Sequence, residues 1–485
     1  MVLEDIIALL PALILAVAAL VTMLMAAFAF SHGTVAWTTV IAQGLALAGA
    51  MSLTNVPPRR STALFLIDEY STFYMVVILI GTMGITGLSY GYLRGEPSRR
   101  NEFYALISLA ALGAVVLVMS VHGASFFLGL ELLSVSLYVL ISYTRWEPRP
   151  LEAGIKYLLL SATASAFLLL GLAFLYYLAG DLTFAAMSRA PAGEASFRPM
   201  FLVGLGLMLT GIGFKLAIVP FHMWAPDVYQ GSPAPVSTLI ATISKVAMAG
   251  LLLRILMELS ILTDKAVTDT LSVLAVASMF AGNLLALLQD NVKRLLAYSS
   301  IAHLGYLLVA MIAGGELGAE AVGFYVSAYM ITMLGIFGVI TVLSRPYNEA
   351  ERLEDLSGLL WRHPIVGGIW IIGVLSLAGI PLTAGFVVKF YVVVAALSGD
   401  RWLLVLLFVL NSVIGLFYYL KLIRIAFAAD TETAERDKRL TAPRWSWSDR
   451  AVLASAALVI VWMGVYPIPF MEWLQQIMAD FWHAA

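Results

Sequence analysis

The chain has 485 residues, of which 61% are hydrophobic and 12% charged, with net charge −2 and mean hydropathy +0.93. Soluble domains carry roughly 25% charged residues and single cores stop growing near about 250–300 residues, so lipid must solvate much of this surface. A soluble enzyme, a nucleic-acid binder and a disulfide scaffold are excluded as primary readings, and zero cysteines exclude thiolate metal sites, iron–sulfur clusters and thiol catalysis within the chain.

Apolar runs bounded by charged or Gly/Pro-rich joints predict fourteen spans. In chain order they lie near residues 6–30, 35–53, 70–91, 103–120, 123–144, 152–179, 200–225, 233–258, 267–288, 294–313, 320–343, 363–397, 402–427 and 450–470. Continuous apolarity without period-2 alternation argues for helices and against a membrane barrel. The least distinct features are the joint near His122 and the segments containing Pro220 and Pro381. The first span opens with Glu4 and Asp5 and lacks a basic leader, so it does not read as a secretory signal. With the N-terminus outside, 17 Lys and Arg fall in cytoplasmic loops and 6 in the opposite ones, which predicts that both termini face out. Seven of the 17 lie between Lys421 and Arg450. The polar stretches 344–363 and 430–449 read as solvated connectors.

Five basic residues remain inside apolar spans: Lys156, Lys215, Lys245, Arg254 and Lys389. Glu131, in FFLGLELLSVSLYVL, is the one acid placed well inside a span. Each mid-membrane charge costs about 2.5–3.5 kcal/mol on insertion scales, so such groups need partners, water or a function. Arg254 lies within a turn of its helix end and reads as a snorkelling anchor. Lys156, a turn from its helix start, reads equally as an anchor or as part of an ion path. Glu131, Lys215, Lys245 and Lys389 sit deeper and read as an ion path, with a static buried ion pair as the alternative.

Two of the deep lysines lie beside helix breaks. Lys215 occurs in GIGFKLAIVPFHMW, where the Pro220 ring clashes with the carbonyl of Leu216. The break exposes carbonyls at the C-terminal, negative end of a half-helix, where a cation is favoured. Lys389 follows Pro381 and Gly385 in SLAGIPLTAGFVVKFY. The breaks fall in spans seven and twelve. An odd offset of five makes those two spans run oppositely, as an inverted repeat of spans four to eight against nine to thirteen requires. The fold class is therefore an all-α polytopic membrane protein with about 14 helices and two inverted five-helix repeats. Residues 1–102 form an N-terminal three-helix segment, 103–258 the first repeat and 259–427 the second, with 428–485 holding a basic loop and helix fourteen.

Helical spacing puts Thr238, Thr242 and Lys245 on one face of span eight, and Ser299, His303 and Tyr306 on one face of span ten. Lys293 and Tyr298 lie at the start of span ten, and His222 at the first break. Histidine suits proton relay because it titrates near neutral pH, although a buried His also serves as a hydrogen-bonded packing group. Burial disfavours an ammonium and a nearby carboxylate favours it, so a lysine whose partner comes and goes can switch. No cluster has metal-ligand spacing and no phosphate loop or redox motif is present. Any energy input must come from an ion gradient or from partner subunits.

The run GFKLAIVPFHMWAPDVYQGSPAPVSTLIATISK (213–245) closely resembles the N-subunit family of bacterial NADH–quinone oxidoreductase, respiratory complex I. FFLGLELLS, LEAGIKYLLLSATAS, DNVKRLLAYSSIAHLGYLL and SLAGIPLTAGFVVKF resemble it too, so the likeness covers essentially the whole chain. PDVYQG, the short tail after span fourteen, and a lysine in helix twelve favour the N subunit over the related L and M subunits. The resemblance implies proton translocation driven by electron transfer in partner subunits, in a multi-pass protein of the bacterial inner membrane. It implies Glu131 as the helix-five glutamate, Lys215 as its helix-seven partner, Lys245 as the central lysine and Lys389 as the exit-side group. Lys156 would be the helix-six lysine, with His222, Lys293, Tyr298 and His303 at relay or support positions. No cofactor is implied in this chain; FMN, iron–sulfur clusters and quinone are expected in partner subunits, among them homologous antiporter-like ones. The competing expectation is a subunit of a multi-subunit cation/proton antiporter.

Overall fold

The computed structural model describes residues 3–54, 57–94, 101–189, 197–346, 348–428 and 445–484. Thirteen helices among them are long and apolar enough to cross a membrane: Leu10–Ala27, His32–Ser52, Glu69–Leu93, Glu102–Met119, Gly123–Ile141, Pro148–Ala179, Arg198–Leu216, Ala234–Glu258, Lys265–Leu287, Val292–Ala313, Gly315–Leu343, Trp402–Phe427 and Trp447–Val465. The half-helices Pro364–Ala378 and Ala384–Ser398 supply one more crossing, as span twelve. Span seven, Arg198–Leu216, resumes after its break as Trp224–Gly231.

Burial follows the placement of charge. Spans eight and ten, which carry Lys245, Arg254, Lys293 and His303, are fully enclosed, whereas the first two spans bury only a third of their apolar windows. An ionisable side chain at membrane depth is tolerable when it faces protein, and the first two spans can face hydrocarbon because none of their central residues is charged. Small residues let the helices approach, since packing drives helix association in lipid. A Cβ on Gly113 would sit 2.5 Å from the backbone nitrogen of Leu133 and 2.9 Å from the carbonyl of Gly129. A Cβ on Gly282 would sit 2.5 Å from the nitrogen of Ala302 and 2.7 Å from the carbonyl of Tyr298. All three residues of the second contact lie 169 positions after those of the first. Spans four and five therefore meet as nine and ten do, and in the shared register Ser134 and His303 are corresponding positions.

Four features differ from the sequence expectation. Span eight is interrupted at Thr242 (φ −112°, ψ −84°) into Ala234–Ala241 and Ile243–Glu258. Thr238 and Thr242 each donate to the carbonyl four residues back, so their hydroxyls serve the helix backbone and not a path to Lys245. Arg254 does not snorkel: it is buried, 2.8 and 3.0 Å from the two carboxylate oxygens of Asp68 and 3.2 Å from Glu258. The expected connector at 344–363 folds back over the protein, with Ala350, Leu353, Leu356 and Leu359 buried. Beyond span fourteen the chain forms another helix, Ile468–Ala484, whose Phe481 stacks on Tyr70 at 4.1 Å. Most of the connector 430–449 lies outside the described residues. A short antiparallel hairpin, Arg59–Ser61 with Phe65–Ile67, is held to the N-terminal helix by ion pairs from Arg59 to Glu4 and Asp5.

Candidate functional site

The first break spans the residues between Leu216 and Trp224 and contains a cis Val219–Pro220 bond. Its backbone groups need partners, because lipid offers none. The Phe214 carbonyl accepts from Trp224 Nε1 at 2.8 Å, and the Val219 N–H donates to Ser278 Oγ on span nine at 2.9 Å. Lys245, arriving from span eight, donates from Nζ to the carbonyls of Lys215 and Leu216, both at 2.9 Å. The cation expected at the negative end of the half-helix is thus Lys245 and not Lys215. Its ammonium also lies 5.0 Å over the Trp224 ring.

Lys215 points the other way, toward spans five and six. Its Nζ donates to Ser134 and Ser161, both at 2.6 Å. Ser165 on span six donates to Glu131 at 2.5 Å, and Tyr138 donates to Ser161 at 2.6 Å. Serines therefore stand between the ammonium and the carboxylate, and no ion pair within 4.0 Å joins Lys215 to Glu131. The structure brings the two into one polar cluster without direct contact. Ser134, Ser161 and Ser165 were not singled out from the sequence; as serines in apolar helices they carry no signal of their own.

Span ten carries the next group. His303 Nδ1 lies 2.7 Å from the Tyr325 hydroxyl and Nε2 lies 3.0 Å from the Tyr419 hydroxyl, which in turn is 2.6 Å from Ser299. Tyr306 keeps its ring edge-on to His303 at 5.5 Å and turns its hydroxyl to accept from Asn283 at 2.9 Å. A space of about 10 Å³ separates Lys245 from His303, and another of about 20 Å³ separates His303 from Lys389. A water needs roughly 10–15 Å³ and polar partners, so the space between His303 and Lys389 has room for about one, whereas the smaller space beside Lys245 is apolar. Lys389 donates to the Ala378 carbonyl at 2.9 Å and to Ser412 at 2.8 Å. It caps the half-helix Pro364–Ala378 as Lys245 caps Arg198–Leu216.

The remaining sequence candidates stand apart from this line. Lys156 is 44% exposed and ion-paired to Glu152 (2.6 Å) and Asp227 (3.1 Å), with Asp227 also bridged to Arg294 at 2.5 Å. Lys293 is fully buried and bonds Glu349 at 2.6 Å and the Ser232 carbonyl at 3.0 Å. His222 is buried in the first break, with neither ring nitrogen hydrogen-bonded. Tyr298 is buried on span ten at the Gly282 contact. Among the described residues no group of three His, Cys, Asp or Glu could hold a metal.

Residues 120–415, which include both breaks, match the family model described as NADH:quinone oxidoreductase/Mrp antiporter, TM. The chain is 44% identical over 479 residues to the NADH-quinone oxidoreductase subunit N of Ectopseudomonas mendocina (strain ymp), covering 97% of this chain and 96% of that one. It belongs to the subunit N family of NADH–quinone oxidoreductase. As a member it is an antiporter-like, proton-translocating membrane subunit of the multi-subunit respiratory complex I. A chain of the Thermus thermophilus complex I solved with bound aureothin matches at 33% identity and TM-score 0.81, over 95% of this chain and 98% of that one. A chain of the Mrp complex from Dietzia sp. DQ12-45-1b shares the fold, with TM-score 0.87 at 21% identity over 99% of this chain and 98% of that one.

Proposed function

We propose that protons pass through this subunit along the buried groups Glu131, Lys215, Lys245, His303 and Lys389, driven by electron transfer in partner subunits. The observation that carries the reading is the run of basic groups from Lys215 to Lys389, flanked by serine and tyrosine hydroxyls, with a space of single-water size between His303 and Lys389. Lys245 bonds the carbonyl of Lys215, so the two ammonium groups belong to neighbouring positions whose titrations are coupled. A proton added at one end raises the cost of charge at the next. Rearrangement of the Glu131 cluster, by closing or opening the serine-filled gap to Lys215, would set which lysine holds it.

Lys156, paired at the surface, and Lys293 and Tyr298, at the start of span ten, act as support or access groups in this reading. His222 is a support group of the first break. The two inverted repeats, 103–258 and 259–427, each supply one broken helix, and both chain ends face the periplasm of a bacterial inner membrane. FMN, iron–sulfur clusters and the quinone headgroup belong to partner subunits, and homologous antiporter-like subunits are neighbours.

The test is Lys215→Met in the intact complex, reconstituted in proteoliposomes. Assembly is expected to persist, and NADH-driven acidification to fall at least tenfold. Parental pumping in the assembled variant would leave the subunit a membrane spacer. If vesicles from a deletion strain instead keep respiration and lose gradient-driven Na⁺ extrusion, the subunit works as a cation/proton antiporter.

A further inference from the structure

A groove of about 440 Å³ opens between spans two, three, eleven and fourteen, and no group of the proton line borders it. Its walls are mostly apolar, with Leu47, Ile80, Met83 and Leu334 among them, and the small residues Gly84, Gly87 and Ala451 keep it open. The hydroxyls along it are already bonded to backbone. Thr86 meets the Thr82 carbonyl at 2.9 Å, Ser448 that of Gly87 at 3.0 Å and Ser455 that of Val452 at 2.9 Å. These groups need no water, and the helices that carry them cross a membrane. An apolar occupant fits the groove.

The groove has the length of one leaflet. It runs from Ile80 to Tyr90 on span three and from Trp37 to Leu47 on span two. Ten residues rise about 15 Å at 1.5 Å per residue, half of a hydrocarbon core about 30 Å thick. About 440 Å³ over that length leaves a cross-section of about 30 Å², enough for a hydrocarbon chain and too slender for a helix about 10–12 Å across.

One end is built as a membrane–water interface, where aromatic side chains gather. Trp37 stacks on Trp447 at 5.3 Å, and Tyr90 stacks on His32 at 5.0 Å. Two exposed arginines flank this end. Arg94 continues the stripe of Ile80, Met83, Gly87 and Tyr90 at helical spacing, one turn past Tyr90. Arg450, on the turn of Trp447, reaches back over the Trp445 ring, 5.9 Å from its centre. Asp449 beside it is buried and accepts from the Ser446 N–H at 2.9 Å, so its carboxylate is turned into the protein.

We propose that this groove is a phospholipid site, seating one acyl chain with an anionic phosphate at the Arg94 and Arg450 end. The length sets one chain in one leaflet, the dry walls exclude a polar occupant, and the arginines select the charge. One Lys or Arg at a membrane surface favours anionic lipid by about fivefold. The site stands independently of the proton-line reading.

The test uses the intact complex, delipidated and reconstituted in nanodiscs with a photoreactive phospholipid that carries a diazirine at mid-chain. Phosphatidylglycerol and phosphatidylcholine probes are compared, and labelled peptides of this chain are mapped by mass spectrometry. Labels are expected on 80–90 and 447–455, at least fivefold more from the phosphatidylglycerol probe. Arg94→Gln with Arg450→Gln should erase that preference and keep the phosphatidylcholine labels. Ala451→Trp should fill the groove and cut labelling by both probes at least fivefold. Equal labelling by the two probes overturns the proposal, and so does labelling that Ala451→Trp leaves unchanged. If Ala451→Trp does not assemble, Ala451→Cys decides, since this chain has no other cysteine. In detergent, phosphatidylglycerol should slow alkylation of that thiol by N-ethylmaleimide at least fivefold relative to phosphatidylcholine. Equal rates overturn the proposal, as does a cross-link from Ala451→Cys to a neighbouring subunit, which would make the groove a subunit interface.

Discussion

The two broken helices solve one problem with lysines from different places. Each half-helix ends in a left-handed residue, Ala217 at φ 60° and Gly379 at φ 80°, and each leaves terminal carbonyls that only an ammonium reaches. At the first break that ammonium comes from the next span, and the half-helix carries a second lysine, Lys215, turned toward Glu131. At the second break the cap, Lys389, comes from the same broken span, and Leu377 stands where Lys215 would be, one residue before the last helical position. The first break thus holds two ammonium positions side by side and the second holds one. In the proposed line, that asymmetry would distinguish one end from the other.

Five substitutions probe the difference, in falling order of effect. Lys245→Met strands two buried carbonyls, each costing about 1–3 kcal/mol, and removes the ammonium between Lys215 and His303 in the proposed line. Pumping should vanish and the complex should melt at lower temperature, both read on one detergent-purified preparation. Lys389→Met strands one carbonyl, that of Ala378, and otherwise frees only the partly exposed Ser412 hydroxyl, so its melting shift should be roughly half as large while pumping still collapses. Equal shifts would show that the two caps are energetically alike. His303→Gln preserves partners for Tyr325 and Tyr419 and removes the titrating ring, so acidification should drop severalfold with the melting temperature unchanged.

The smallest effects lie in the backbone. Gly379→Ala meets both a left-handed φ and the Lys389 stem, whose Cδ would lie 2.6 Å from the new Cβ. A loss of about 1–2 kcal/mol is expected from the conformation alone. Ala217→Gly relieves the same conformation and should raise stability by up to about 1 kcal/mol. A stabilising Gly379→Ala or a destabilising Ala217→Gly would break the comparison between the two caps.

Much of this was legible in the sequence because membrane spans and intramembrane charges are local signals. Fourteen apolar runs, Pro220 and Pro381 at the breaks, and lysines where lipid should be are all readable residue by residue. The prediction of a cation at the freed Leu216 carbonyl held for the charge and failed for its owner, since helical order alone does not say which neighbour reaches a helix end. The serines around Lys215 were silent because a hydroxyl in a membrane helix usually bonds its own backbone, as Thr238 and Thr242 do here. Arg254 looked like an anchor by its distance from the helix end, until Asp68 and Glu258 converged on it. Glu349 was hidden in a loop whose polarity reads as exposure.

By itself, then, the sequence determined the solvent, the number of crossings, the two breaks and the inventory of costly charges. Those follow from hydropathy and from backbone chemistry within a few residues. Only the tertiary structure decided which charges face one another. Lys245 on Leu216, Glu131 reached through Ser165, and Lys293 closed off by Glu349 join residues 29, 34 and 56 positions apart. Contacts of that range depend on how enclosed helices pack, and a 12% charged fraction acquires its function from that packing.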